Sequence, residues 1–340
     1  MTRNEPIRAR KALTGISSRA WEHPADRGAL VALRRLKGYD QVVKVLSGFF
    51  NERVVRLALL GSAVRVDERQ FERLHRLLQE SATALDAEQV PEMYVAASPV
   101  LNAVTIGVNK PMIVLNSALV DLLDDDQLRF VIGHELGHAL SGHAVYQTLL
   151  QRLLMLSGLF AAIPLGGLGF RAVMAGLMEW SRKAELSADR AGLLATQDPA
   201  TAFRTHMALA SGGHLADLDS TAFLAQGQEY DESGDLRDSF IKLMLVEGQS
   251  HPFAVVRATE LRRWVDSGEY TAILSGDYPQ RGTDAAASVS AAAQDAARSY
   301  TDSFRRTQDS LGRMLHDAAG VAGQLKGWLD ETLRRGPRDD

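Results

Sequence analysis

The chain has 340 residues, of which 46% are hydrophobic and 24% charged, and a formal net charge of −4. This is the balance of an ordinary globular protein, long enough for one large domain or two ordinary ones, and its mild negative charge gives no general pull toward nucleic acid. There is no cysteine, which excludes disulfides and leaves only nitrogen and oxygen donors for any metal.

Residues 1–27 are polar and mixed, and are expected to be loosely ordered. They carry Arg3, Arg8, Arg10 and Lys11 without the apolar core of a signal peptide, which points to the cytoplasm. Residues 28–89 read as a helical region. Leu30, Leu33, Leu36, then Val42, Val43, Leu46, Phe49 and Phe50 recur at helical steps, and Phe71, Leu74, Leu77 and Leu78 mark a second amphipathic helix. Ala63 to Val66 alternates as a short strand does.

The texture changes at Val90. Met93–Ala96, Ala103–Val108 and Met112–Leu115 are β-rich, and Asn109, Lys110 and Pro111 suggest a hairpin between the last two. Asn116 and Ser117 open a helix through Leu123. Asp124, Asp125 and Asp126 stand at the start of the next one, where unpaired backbone N–H groups favour negative charge. That helix is expected to run from Gln127 to about Leu150, and it contains HELGH.

Leu153 to Phe170 holds no charged residue, at the short end of what a membrane span needs. Pro164, Gly166, Gly167 and Gly169 break its second half. The expectation is a buried helix that stops at Pro164, with a membrane-dipping hairpin as the alternative. From Gly282 the chain turns rich in Ala, Ser and Asp, then amphipathic. Phe304, Leu311, Ala318 and Leu325 fall seven apart, as do Tyr300, Thr307, Met314, Val321 and Trp328. Such a helix folds back on the domain or faces a partner or membrane, and the pattern does not choose between these. The resulting division is 1–27, 28–89, a metal-binding domain over 90–275, and an Ala-rich linker with an amphipathic helix over 276–340.

His134 and His138 lie one helical turn apart, so both imidazoles project from one face and can hold a zinc ion. Glu135 is placed to take the proton of a water attacking a peptide carbonyl. Gly133 and Gly137 keep that helix surface low, which leaves room for a substrate or a packed second helix. A catalytic zinc takes three protein ligands. The best candidate for the third lies in SRKAELSADRAG, where Glu185 and Asp189 share a helical face. Glu185 would complete the site and Asp189 would accept the free N–H of a ligand histidine. Taken by themselves, the two acids read equally as a solvated pair among Arg182, Lys183 and Arg190. His143, five residues after His138, points away on a continuous helix and reads as a supporting or structural histidine. His206 and His214 have no motif around them.

In these features the chain resembles the HtpX-like and CAAX-prenyl-protease-like zinc metallopeptidases. Three blocks match in order: VIGHELGHALSGH, SRKAELSADRAG and SHPFAVVRATEL, covering roughly Val90 to Trp264. The resemblance implies one zinc per chain on His134, His138 and Glu185, with Glu135 as general base. It also implies His251 near the oxyanion, Arg257 orienting the site, and Asp189 supporting a ligand histidine. Substrate is implied to bind as an added strand along Asn102 to Val108, with Asn102, Ala103 and Val104 nearest. The family's integral-membrane members carry an N-terminal pair of spanning helices, for which this sequence is expected to have no counterpart.

The expected fold is therefore α+β and mostly helical, with a small sheet beside the HExxH helix. The expected activity is endopeptidase hydrolysis of extended or unfolded polypeptide, with protein quality control as an analogy. A different class of reading is a zinc-containing scaffold acting through the C-terminal helix at a partner or membrane, with residues 153–170 as a second contact. A structural zinc site needs a fourth protein ligand. Oligomeric state is left open.

Overall fold

The computed structural model describes residues 10–34, 52–160, 167–232, 254–286 and 290–298 except 292. In chain order the elements are α1 (Pro24–Arg34), α2 (Glu52–Ser62), β1 (Val64–Arg65), α3 (Glu72–Ala84), β2 (Glu92–Ala96), β3 (Ala103–Ile106) and β4 (Met112–Asn116). Then come α4 (Ser117–Leu122), α5 (Asp125–Leu140), α6 (His143–Phe160), α7 (Gly167–Thr196), α8 (Pro199–Ser211), α9 (Ser220–Glu232), α10 (Ala254–Asp266) and α11 (Glu269–Ser275). The protein is α+β and mostly helical, as expected.

The sheet is small and mixed, in the order β1-β2-β4-β3. β1 pairs antiparallel with β2, β2 parallel with β4, and the β3–β4 hairpin closes with Ala103 opposite Leu115. β3 is thus an edge strand among the described residues. Its side chains alternate, with Ala103 and Thr105 buried and Val104 and Ile106 half-exposed.

The main core lies between this sheet and α3 and α5. Leu74, Leu77 and Leu78 meet Met93, Ile113, Leu115, Leu128, Ile132 and Leu136. α5 starts where the acidic run predicts. Asp124 and Gln127 cap each other, with Gln127 N–H donating to Asp124 Oδ1 at 2.9 Å and Asp124 N–H to Gln127 Oε1 at 3.1 Å. α7 then packs across α5 almost backbone to backbone. A Cβ built on Gly133 would stand 2.4 Å from Ala195 Cβ, and one on Gly137 would stand 2.5 Å from Ala191 Cβ. The low surface at these glycines serves a packed second helix.

Three expectations change. The single helix over Gln127 to Leu150 is two helices, because the chain turns at Ser141 and Gly142, where Gly142 has φ +70°. Residues 10–27 are not a loose terminus. Leu13, Ile16 and Trp21 are buried in the main core, and Ile16 bridges to Gln280. Phe71 stands before α3 at φ 54° and is exposed, so its apolar side chain is not part of the helix's buried stripe.

A second cluster joins α1, α6 and α7 through Ala29, Leu30, Leu33, Leu149, Leu153, Val173, Leu177 and Trp180. No helix among the described residues is long and apolar enough to cross a membrane. The helix expected to stop at Pro164 is described as far as Phe160; Pro164 and Gly166 lie outside the described residues, as do Leu36 to Phe50 and the heptad series from Tyr300 to Trp328.

The α5–α7 contact should be intolerant of one added methyl group. Gly133→Ala is expected to lower stability by about 1–3 kcal/mol, and Ala195→Gly in the same chain should return part of the loss. Thermal denaturation of chelator-treated protein checks both.

Candidate active site

His134, Glu135 and His138 sit in the C-terminal half of α5, with His138 in its last turn, and Glu185 and Asp189 in the C-terminal half of α7, all of them buried. The close approach of the two helices brings the acids over the histidines. His134 Nε2 lies 3.1 Å from His138 Nε2 and 3.4 Å from Glu185 Oε2, and His138 Nε2 lies 3.3 Å from Glu185 Oε1. These three residues form a group able to hold a metal ion.

The surrounding polar groups set the histidine that Asp189 touches. His134 Nδ1 is 3.0 Å from Asp189 Oδ1. With the proton on Nδ1, the imidazole donates to Asp189 and turns its Nε2 lone pair toward His138 and Glu185. Arg257, from α10, holds Asp189 in turn: Nε donates to Oδ2 at 2.7 Å and an NH2 group to Oδ1 at 2.5 Å. The same guanidinium reaches Glu185 Oε2 at 3.1 Å. Burial by itself would raise the Asp189 pKa, but Arg257 holds this carboxyl well below the usual range. Burial pushes the His134 imidazolium down while Asp189 and Glu185 lift it further, to about 9. The acids thus draw positive charge to this point, a demand that a divalent cation also meets.

Glu135 lies one residue round the helix from His134. Thr105 Oγ1, on β3, is 2.6 Å from Glu135 Oε2 and 3.0 Å from its backbone carbonyl oxygen. A cleft of about 380 Å³ opens beside these groups, lined by Asn102, Ala103, His134, Glu135 and Arg257 among others. Asn102 and Ala103 therefore sit at the site. Val104 does not line the cleft and turns to the other side of β3. His251 lies outside the described residues.

Sequence reasoning missed several participants. Thr105 was one position in a β-rich run, and only its inward register shows it to be Glu135's partner. His143 comes back onto the site because of the turn at Gly142: its Nδ1 is 3.1 Å from His138 Nδ1. Gln147 Nε2 is 3.3 Å from the same atom. His206, without a motif, is fully buried against Phe130, with Nε2 3.7 Å from Asp189 Oδ1. His214 is on the surface.

The chain matches the model of peptidase family M48 over residues 68–265. It is 36% identical over 259 residues to plastoglobule-localized metallopeptidase 48, chloroplastic, of Arabidopsis thaliana, covering 75% of this chain and 74% of that protein. It is 32% identical over 116 residues to human mitochondrial metalloendopeptidase OMA1, covering 30% of this chain and 22% of that protein. A Protease HtpX homolog of Helicobacter pylori (strain Shi470) is 40% identical over 67 residues, 19% of this chain and 22% of that protein. No solved structure matches the chain at a significant level.

The His206 environment predicts an acid sensitivity. Burial pushes this imidazole down to about 4, against the pull of Asp189. An unfolded histidine titrates near 6.5, at about the model-peptide value. Between these values the unfolded chain binds a proton that the folded chain refuses, so stability is lost as pH falls from about 6.5 to about 4 and is unaffected above. His206→Leu should flatten that part of the curve, as followed by urea denaturation across the range; equal slopes in variant and wild type would remove the assignment.

Proposed function

This chain belongs to peptidase family M48, a family of metallopeptidases, and from that premise we propose a zinc endopeptidase that cleaves extended or unfolded polypeptide. The observation that carries the zinc reading is the spacing of the donors. Zinc bonds of about 2.0–2.1 Å to nitrogen and about 2.0–2.2 Å to oxygen put neighbouring corners of a tetrahedron about 3.3–3.5 Å apart. The two imidazole Nε2 atoms stand 3.1 Å apart, with Glu185 Oε2 3.4 Å from that of His134 and Glu185 Oε1 3.3 Å from that of His138, so one carboxylate spans both rings at close to this spacing. Two imidazoles and one carboxylate are also a donor set that zinc takes in catalytic sites, where three protein ligands leave a position open.

In this reading His134, His138 and Glu185 hold the ion. When bound, zinc supplies Lewis acidity, which polarises a carbonyl and acidifies water. Glu135 takes the proton of the attacking water as its oxygen bonds to the scissile carbonyl carbon, and returns it to the amine nitrogen as the C–N bond breaks. Thr105 fixes the carboxylate of Glu135 for that transfer. Asp189 and Arg257 keep His134 in one tautomer and one orientation. His251, by the family resemblance, would donate to the oxyanion.

The substrate reading is supported by the edge position of β3. An extended peptide laid along β3 gains main-chain hydrogen bonds whatever its side chains, beside the cleft that holds Glu135. Such binding favours unfolded chains, since a folded protein has few unpaired extended segments to offer. A part in protein quality control is the biological extension of that preference.

Two substitutions separate metal holding from proton transfer. Glu185→Gln is expected to lose zinc, measured as metal content after dialysis; content equal to wild type would strike Glu185 from the ligands. Glu135→Gln should keep zinc and lower cleavage of unfolded casein by about 10²- to 10⁴-fold. Wild-type cleavage should stop with a chelator and return with added zinc.

A further inference from the structure

The second ligand histidine has its own support, which begins at His143, inside the part of the chain that matches the family, and ends at Asp26, outside it. His138 Nδ1 faces His143 Nδ1 at 3.1 Å, and His143 Nε2 lies 3.0 Å from Asp26 Oδ2. Asp26 belongs to α1, outside residues 68–265. Its carboxylate is buried and surrounded by donors: Trp180 Nε1–H gives to Oδ1 at 2.8 Å and Ser187 Oγ–H to Oδ2 at 2.6 Å.

We propose that Asp26 is a positioning residue of the metal centre, acting through His143 to set the tautomer of His138. This rests on the reading that His138 binds zinc through Nε2. With His143, which is nearer than the Gln147 amide, as the acceptor from His138, the direction of each hydrogen bond follows. A metal-bound Nε2 leaves the His138 proton on Nδ1. His143 Nδ1 must accept that proton's hydrogen bond, so His143 carries its own proton on Nε2. That N–H points at Asp26, which as a carboxylate only accepts. Burial would raise the Asp26 pKa, but His143, Ser187 and Trp180 hold it below the usual range, which keeps it an acceptor. The chain from Asp26 to the metal site therefore runs in one direction.

The arrangement mirrors the other ligand. His134 receives its carboxylate directly, from Asp189. His138 receives one through an intervening ring, from α1. Two further contacts tie the same N-terminal segment to the site: Trp21 Nε1–H donates to Ser141 Oγ at 3.0 Å at the end of α5, and His23 N–H to Ser187 Oγ at 2.9 Å. The side chain of Gln147 is the other polar group beside His138 Nδ1. It lies on α6 with His143, and its Nε2 is also 3.4 Å from His138 Nε2.

The test uses the full chain loaded with zinc and labelled with ¹⁵N in its histidine rings. Ring-nitrogen chemical shifts report which nitrogen carries the proton. The expected wild-type result is a His143 protonated on Nε2 alone and a His138 protonated on Nδ1. A His143 protonated on Nδ1, or on both nitrogens, overturns the proposal even if no variant folds. Zinc affinity is then measured by chelator competition. Asp26→Asn places an amide N–H₂ where an acceptor is required, and His143→Phe removes the relay. Each should weaken zinc binding by about 10- to 100-fold. The double variant should bind no worse than the weaker single one, because both changes break one path. Full additivity, or an Asp26→Asn affinity equal to wild type, removes Asp26 from the centre while leaving the zinc reading intact. A wild type that binds no zinc removes both.

Discussion

Everything at this site depends on how closely α5 and α7 approach. Carboxylate side chains are short, and Glu185 reaches two imidazoles on another helix only because almost nothing stands between the backbones. Gly133 and Gly137 on one side and Ala188, Ala191, Gly192 and Ala195 on the other provide that approach. A larger residue at any of these places would have to push the helices apart. The displacement would open the 3.1–3.4 Å contacts among the two imidazoles and the Glu185 carboxylate. Helix packing and metal geometry are therefore one constraint.

The same contact collects buried charge. Glu135, Glu185 and Asp189 are all removed from water, and an isolated buried carboxylate is costly. Arg257 offsets part of this by pairing with both Asp189 and Glu185. One guanidinium against three carboxylates still leaves an excess of negative charge, and the imidazole edges of His134 and His138 face it. The stability of this cluster and its demand for a cation have one origin: acids held in a low-dielectric interior by the packing around them.

The N-terminal segment alters how the domain is bounded. Composition groups residues 10–27 with a polar terminus, yet Leu13, Ile16 and Trp21 are core residues and Asp26 stands beneath the metal centre. A few apolar residues spread along an otherwise polar stretch leave no periodic trace. Their segment is held by neighbours far along the chain, Ala84 at the end of α3, Ser141 after α5 and residues 279–280, which a one-dimensional pattern cannot contain. His143 was misdirected for a related reason. A five-residue step points away from His138 only if the helix continues, and the turn at Gly142 ends it. The signal was present in Ser141-Gly142, since glycine tolerates the left-handed backbone that closes a helix.

By itself the sequence determined the local chemistry: HELGH on a helix, two acids at a four-residue step on a second helix, and a hairpin ahead of both. These follow from short-range periodicity and cap residues, which act within a few positions of the chain. It also carried the low glycine surface, although whether that surface served a substrate or a helix was open. Only the tertiary structure decided that α7 fills it, that Thr105 turns inward to Glu135, and that Asp26 meets His143 and His206 meets Asp189. Those placements rest on contacts between residues far apart in the chain, where packing chooses the neighbour and no spacing rule applies.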